Sequence, residues 1–201
     1  MHVEILVEEP SAEAALQNLF PKIAGSFVSF KIYPHEGKRD LLKKIPLRLR
    51  GYKHWITADY RILVLVDRDN DDCLELKSDL EQFARDANLP TKTRPVNGRY
   101  LVVNRLAIEE LEAWFFGDPE AIRLAYPDIR INAYSPRYRH PDEIAGGTWE
   151  TLERVFQRAG FYQTGLPKIE VARKISAFMD PQRNYSRSFR VFRDAILEIA
   201  N

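Results

Sequence analysis

The chain has 201 residues, of which 45% are hydrophobic and 29% charged, a composition that supports the core of one large domain. Its 30 basic and 29 acidic side chains leave a net charge of +1, so total charge indicates no particular class of partner. A single cysteine excludes an intrachain disulfide, and no apolar run approaches the roughly 20 residues that span a bilayer. Because no signal-peptide pattern is present either, we expect a cytoplasmic protein with no membrane partner.

Apolar strands alternate with helical segments in the first half of the chain. We predict strands at 2–7, 27–33, 62–66 and 99–106. Helices are expected at about 12–20, 38–50, 71–87 and 107–117. Gly117 would close the last of these helices. This order predicts an α/β fold, Rossmann-like, with a mostly parallel sheet and helices on both faces.

The composition changes after residue 118. Pro, Asn, Ser, Arg and Gly are frequent in 127–147, which is typical of a long loop. Apolar spacing indicates helices around 122–125 and 152–156, then at about 168–179 and 186–200. We therefore divide the chain into an α/β core, 1–118, and a C-terminal helical extension, 119–201, which packs on the core as part of a single domain.

Four aspartates follow the most apolar predicted strand within the segment 67–72. The run 62–66 is continuous, as in strands buried on both faces of a parallel sheet, and it is followed by Asp67, Asp69, Asp71 and Asp72. Ligands of open α/β sheets bind outside the carboxyl ends of the strands. Since side chains two apart on an extended chain point the same way, Asp67 and Asp69 are expected to face one Mg²⁺ or Mn²⁺ ion. Asp71 and Asp72 fit better as the solvated start of the next helix.

Glu8 stands at the end of the first strand. If that strand is the parallel neighbour of 62–66, three carboxylates meet at one edge of the sheet. Such a group would repel strongly unless one member kept its proton or a divalent ion bound there. We therefore predict that Glu8, Asp67 and Asp69 are metal ligands and catalytic residues.

Glu112 is a further candidate metal ligand. It borders the apolar face that Ile108, Leu111 and Phe115 would form on a helix, and a carboxylate beside a buried face needs a cation or a basic partner. Glu109 and Glu110 are expected to be solvated.

Other metal motifs fit the acidic run less well. An EF-hand loop requires Gly at its sixth position and Glu at its twelfth, where this chain has Asp72 and Ser78. A strand-end Asp-x-Asp also occurs in nucleotide-sugar glycosyltransferases and in phosphatases with an aspartyl nucleophile, but neither explains Glu8. The sequence has no phosphate-binding loop of the ATPase type, no Gly-rich dinucleotide fingerprint and no zinc-ligand spacing.

Basic residues are concentrated near one predicted helix. The segment 38–53 carries Lys38, Arg39, Lys43, Lys44, Arg48, Arg50 and Lys53. Such a stripe attracts a phosphate backbone, although it is equally typical of a solubilising helix face. Lys38 and Arg39 are the better substrate-binding candidates because they follow Gly37 at a helix start. Basic and aromatic residues also alternate in 134–140 and 183–193, where Arg187 is the candidate phosphate contact.

Two strand ends together carry a family resemblance. Val7-Glu8 followed by a Pro10-Ser11 turn, and a second strand ending in Asp67-x-Asp69, resemble the Toprim domain of topoisomerases, bacterial primases and related nucleases. The glycine that usually follows the glutamate is replaced here by Glu9. Further segments, 37–42, 111–115 and 186–189, resemble an uncharacterised bacterial Toprim-like family, domain of unknown function 4276, over nearly the whole chain.

The resemblance implies a Mg²⁺-dependent nuclease that cleaves DNA or RNA, with Glu8 as acid/base and Asp67 and Asp69 as metal ligands. It also implies an association with an ATPase subunit encoded nearby in an anti-phage defence system. Two alternatives stay open at this stage. One is a non-catalytic partner that binds nucleic acid or an ATPase, and the other is a metal-dependent glycosyltransferase.

Overall fold

A parallel sheet forms the centre of the molecule. The computed structural model describes residues 1–200. Four strands pair in the order β2-β1-β3-β4, and every pairing is parallel. The strands are β1 (His2–Val7), β2 (Ser29–Pro34), β3 (Tyr60–Asp67) and β4 (Val102–Ala107). The predicted α/β, Rossmann-like class is confirmed.

The helices lie around this sheet. They are α1 (Pro10–Ala24), α2 (Lys38–Lys53), α3 (Cys73–Asp86), α4 (Glu112–Phe116), α5 (Pro119–Ala125), α6 (Thr148–Arg158), α7 (Lys168–Phe178) and α8 (Arg187–Ala200), with a 3₁₀ turn at Pro141–Glu143. Within residues 1–200, every helix is too short or too polar to span a bilayer.

The apolar run of β3 is buried on both faces, as its sequence predicts. Val64 and Val66 belong to the apolar cluster that α2 and α3 cover. Leu63 and Leu65 belong to the larger cluster on the opposite face, where α1, α7 and α8 pack. Because successive side chains of a strand point to opposite faces, a strand covered on both sides must be apolar throughout.

The helices after residue 118 share the larger cluster with the sheet. The buried side chains of α5 to α8 and those of β1 and α1 form one continuous apolar group. α7 lies along α1, and Lys22 of α1 donates to three carbonyls at the end of α7, those of Ser176, Ala177 and Met179, over 2.7–3.1 Å. A cation at the carbonyl end of a helix also complements the helix dipole.

The predicted helix at 107–117 is wrong over its first half. β4 continues to Ala107, and the helix is only α4, Glu112–Phe116. The amides of Arg68 and Asp69 donate to the carbonyls of Ala107 and Glu109 over 2.8 and 2.7 Å, and Glu109 has a φ of 60°. These hydrogen bonds tie the segment to the end of β3, so its carbonyls cannot serve a helix. Pro46 lies inside α2, which continues to Lys53.

Gly117 ends α4 as predicted, but for a different reason. Its φ is −67°, so it does not need the left-handed freedom of glycine. Instead, a Cβ placed on it would lie 2.2 Å from Oδ1 of Asn184 and 2.8 Å from Cβ of Ser186. Asn184 is buried and donates to the carbonyl of Trp114 over 2.7 Å, so it cannot move aside without losing that bond.

Gly117→Ala should therefore destabilise the protein by about 1–3 kcal/mol, the usual cost of overpacking a well-filled core. Urea denaturation measures the change. Gly51→Ala is the matched control, because a Cβ on Gly51 meets nothing within 4 Å. Equal midpoints for the two variants would contradict the steric explanation.

Candidate active site at the carboxyl edge of the sheet

The order of the strands creates a crevice between β1 and β3. α1 follows β1 on one face of the sheet, while α3 follows β3 on the other, so the two chain segments diverge where these neighbouring strands end. Such a point is where open α/β sheets bind their ligands. Glu8 and Asp67 lie there, and Oε2 of Glu8 accepts a hydrogen bond from the Asp67 amide over 3.2 Å. The expected pairing of the first strand with 62–66 is confirmed.

A cavity of about 630 Å³ opens at this crevice. Lys168 is the basic residue in its lining, and Ser11, Asn70, Gly146 and Gly147 contribute polar and backbone surface. The carboxylates of the lining are Glu8, Glu9, Asp67, Asp69, Glu109, Glu110, Glu112 and Glu150. All four residues predicted to hold metal, Glu8, Asp67, Asp69 and Glu112, are therefore brought to one cavity.

Burial changes the proton affinity of two glutamates. Glu8 is 7% exposed, and burial raises its pKa to about 7. The negative charge of Asp69 adds to this rise, while Lys38 and the Asp67 amide oppose it. Burial also raises the pKa of Glu112 to about 7, and the nearby Lys168 opposes the rise. Both groups consequently exchange protons near neutral pH.

Asp67 lies between these two glutamates. Burial raises its pKa well above the ordinary value, and repulsion from Glu112, Glu8 and Asp69 raises it further, against the nearby amide of Leu111. Carboxylates that repel in this way keep protons or bind a cation. A cluster of such groups in a cleft is a signal of a functional site.

Asp69 does not point where the sequence pattern predicts. β3 ends at Asp67, and Asp69 has a φ of 48°, so the assumption of an extended chain through Asp69 is wrong. Its carboxylate instead pairs with Lys38, whose Nζ lies 2.6 Å from Oδ2 of Asp69 and 2.8 Å from Oδ2 of Asp71. Burial alone would lower the pKa of Lys38, but the hydrogen bonds to Asp69 and Asp71 raise it overall.

The next acidic residue, Asp72, caps α3, accepting from the amides of Leu74 and Glu75 over 2.8 and 3.0 Å. It therefore marks the predicted helix start. Asp71, expected to be only solvated, forms an ion pair with Lys38, as Asp69 does.

Glu109 and Glu110 are not simply solvated, contrary to the sequence-based expectation. Oε2 of Glu110 accepts from Oγ1 of Thr148 and from the Trp149 amide, each over 2.8 Å, which fixes the start of α6. Glu109 pairs with Arg68. The expectation assumed a helix at these positions, whereas the chain makes a turn that directs both carboxylates into the protein.

A family model described as Domain of unknown function (DUF4276) matches residues 7–197. The chain belongs to this family. The DUF4276 match covers the sheet, the acidic cavity and the helices that follow residue 118, which confirms the resemblance to domain of unknown function 4276 over nearly the whole chain; the relation to the Toprim domain stays a prediction. Neither the curated proteins nor the solved structures contain a match to this chain.

The basic residues predicted to bind substrate are dispersed in this DUF4276 chain. Lys38 borders the acidic cavity through its pair with Asp69. Arg39 is exposed on α2, and Arg187 lines a different cavity beyond β4. Lys168 was not predicted, although one signal existed: a lysine in the first turn of a helix opposes the helix dipole, so it needs a partner from elsewhere in the fold.

The donor atoms of the acidic cavity fit a hard divalent cation. They are carboxylate oxygens, and three of the groups have pKa values raised by burial and by one another. Their arrangement is not a closed ligand set, because within residues 1–200 no three His, Cys, Asp or Glu side chains are grouped closely enough to hold one ion. Asp69 would have to exchange Lys38 for the ion. Glu8, Asp67, Asp69 and Glu112 are the side chains that could hold it once they moved closer together.

Lys38→Gln tests the role of the lysine. We expect a loss of about 1–2 kcal/mol in the free energy of unfolding without metal, since Lys38 is only 16% exposed and opposes several carboxylates. Lys44→Gln is the control on the same helix, because the solvent-screened pair of Lys44 with Asp40 should contribute little to stability. Denaturation at pH 8 in EDTA measures both. Equal losses would contradict a special role for Lys38.

Proposed function

We propose that this protein is a Mg²⁺- or Mn²⁺-dependent nuclease that cleaves phosphodiester bonds of DNA or RNA. The observation that carries the proposal is the meeting of Glu8 and Asp67, from neighbouring parallel strands, in a cavity lined by further carboxylates. The resemblance of these strand ends to the Toprim domain supports the same chemistry. In this proposal Glu8, Asp67 and Asp69 are the catalytic residues.

Each residue has a distinct part in the reaction. Asp67, Asp69 and Glu112 would hold the divalent ion, which supplies Lewis-acid chemistry at the phosphate when bound. Glu8, with a pKa of about 7, is matched to accept a proton from an attacking water and release it near neutral pH, in addition to ligation. Lys38 stands at the edge of the cavity, where its charge would stabilise the phosphate as negative charge develops.

A cleavage assay with Glu8→Gln tests this assignment. We expect the wild-type protein to cut labelled single- or double-stranded DNA or RNA with Mg²⁺ or Mn²⁺, and EDTA to abolish the activity. The rate should fall at acid pH as Glu8 takes up its proton, at a pH below the metal-free pKa because a bound cation favours the carboxylate. Glu8→Gln should lose on the order of a hundredfold in rate.

Asp86→Asn is the control, because Asp86 is exposed at the far end of α3 and should leave the rate unchanged. No cleavage of any of these substrates, in protein that binds Mn²⁺ by calorimetry, would contradict the nuclease proposal.

One observation favours a second candidate, a non-catalytic partner that binds nucleic acid or an ATPase. The carboxylates described within residues 1–200 form no closed ligand set, and Lys38 already neutralises Asp69. The resemblance associates such domains with ATPases in anti-phage defence, so co-purification with an ATPase encoded nearby is the experiment. A stable complex together with nucleic-acid binding and no cleavage would favour this candidate over the nuclease.

A further inference from the structure

A second cavity lies beside the acidic one. Its volume is about 510 Å³, and it opens between the edge strand β4 and the helices α3 and α8. Arg68 lines this cavity, and Glu109, to which Arg68 is paired, lines the acidic cavity. The ion pair of Arg68 with Glu109 is therefore a shared wall of the two cavities.

Three further basic side chains converge on this second cavity from different elements. They are Lys77 of α3, Arg105 of β4 and Arg187 of α8. Within residues 1–200, none of the three belongs to an ion pair. An anion bound in the cavity would give these cations an ion-pair partner.

Arg105 has one side-chain donor that the fold leaves unpaired. Its Nε is buried and has no hydrogen-bond partner in the described chain, while its Nη1 donates to the Asn104 carbonyl over 2.8 Å. A buried unpaired donor is costly, and native structures rarely leave one unexplained. The guanidinium fork suits the oxygens of a phosphate group.

The two acidic side chains of the lining form no ion pair with these cations; outside the lining, the charges of Glu81 and Glu198 act on Arg105, although Glu81 accepts from Asn104 and Glu198 pairs with Lys92. Asp142 is occupied at the start of α8, where it accepts from the Arg187 amide over 2.7 Å and from Oγ of Ser186 over 2.9 Å. Glu143 is exposed. The apolar side chains of Leu106, Ile108 and Val191 complete the lining, a surface on which a base or sugar could rest.

We propose that this cavity binds a backbone phosphate of a nucleic-acid strand, one that passes over the shared wall into the acidic cavity. The choice of a strand as ligand rests on the proposed function, whereas the anion site itself rests on Lys77, Arg105 and Arg187 alone. The cavity would hold the substrate next to the carboxylates without taking part in the chemistry.

Binding without metal tests the proposal independently of cleavage. Fluorescence anisotropy in EDTA measures the affinity for labelled 12-nucleotide DNA and RNA single strands. We expect Arg105→Gln, Arg187→Gln and Lys77→Gln each to weaken binding about tenfold, since each removes one charged phosphate contact. The slope of log affinity against log salt should also fall by about 0.7 for each variant.

Arg158→Gln is the matched control. Arg158 is exposed at the last residue of α6 and lines neither cavity, whereas α6 begins beside the acidic cavity. Its variant should bind as the wild type does. Arg187 is exposed, so its variant should fold even if the half-buried Arg105 tolerates no change. Variants of Lys77, Arg105 and Arg187 that all bind as Arg158→Gln does would overturn the proposal.

The only cysteine of the chain gives a second readout on the unmodified sequence. Cys73 lines this cavity and is half-buried. The oligonucleotide should slow its alkylation by iodoacetamide at least about fivefold, in line with occupancy of the cavity. Unchanged alkylation at saturating oligonucleotide would overturn the proposal.

Two further outcomes separate the claims. Adenosine monophosphate that bound as tightly as the oligonucleotide would overturn the assignment to a strand. If the variants of Lys77, Arg105 and Arg187 bind the oligonucleotide more weakly but the wild type cleaves nothing, the result counts against the proposed function alone. If the wild type cleaves and these variants bind with unchanged affinity, the result counts against this inference alone.

Discussion

Asp67→Asn is expected to abolish metal-dependent cleavage and, at the same time, to make the metal-free protein more stable. The asparagine keeps the shape of the side chain but removes the charge that repels Glu8 and Glu112. The rate should fall on the order of a thousandfold, because a neutral amide is a poor ligand for a hard cation. The free energy of unfolding in EDTA at pH 8 should rise by about 1–3 kcal/mol, as when a functional site is relieved of electrostatic strain.

A loss of cleavage rate together with a gain in the free energy of unfolding distinguishes a metal ligand from a residue that the fold requires. Cleavage is measured with Mn²⁺ and stability by urea denaturation on the same preparations. Asp86→Asn, an exposed change on α3, controls for the loss of one negative charge and should alter neither quantity. An Asp67→Asn protein that is less stable than the wild type would show that Asp67 has a structural role that the proposed site does not require.

The second large effect is a loss of stability as pH rises. Glu8 and Glu112 have an ordinary pKa of 4.5 and a folded pKa of about 7, so between these values the folded protein binds more protons than the unfolded chain. These two groups make the free energy of unfolding fall as pH rises from about 5 to 7, against the opposite effect of His35, whose pKa is lowered by burial. The contribution of Glu112, which is 4% exposed, is about 2–3 kcal/mol.

Glu112→Gln isolates this contribution from the other titrating groups. The variant should match the wild type near pH 5 and exceed its free energy of unfolding by about 2–3 kcal/mol at pH 8. Glu36→Gln is the control, since Glu36 is exposed and its replacement should leave the pH curve unchanged. Mg²⁺ at pH 8 should stabilise the wild type more than Glu112→Gln. Parallel pH curves for the wild type and Glu112→Gln would refute the assignment.

Patterns within short stretches of the sequence were sufficient to predict the sheet and most residues of the candidate site. The apolar run of β3 indicated a strand covered on both faces, and Glu8 and Asp67 were expected to meet at one edge if their strands were parallel neighbours, as they are. The same rules failed for Asp69, because alternation holds only while the chain is extended and the strand ends two residues earlier. They failed for 107–111 because hydrogen bonds to the end of β3 outweighed local helical preference.

Other features depend on contacts between distant parts of the chain. The Arg68–Glu109 pair, the anchoring of α6 by Glu110 and the position of Lys168 join segments that no short pattern connects. The convergence of Lys77, Arg105 and Arg187 is of the same kind, since the three residues come from a helix, an edge strand and a second helix. Arg187 was predicted to bind phosphate, but its neighbours could not be known without the fold.

One helix connects the acidic cavity to the far side of the molecule. Lys168, at the first turn of α7, opposes the proton uptake of Glu112. Lys22 of α1 donates hydrogen bonds to the last carbonyls of the same helix. The position of α7 along α1 therefore sets the distance between Lys168 and the carboxylates. The acidity of Glu112 is thus tuned by the packing of a helix that lies outside the sheet.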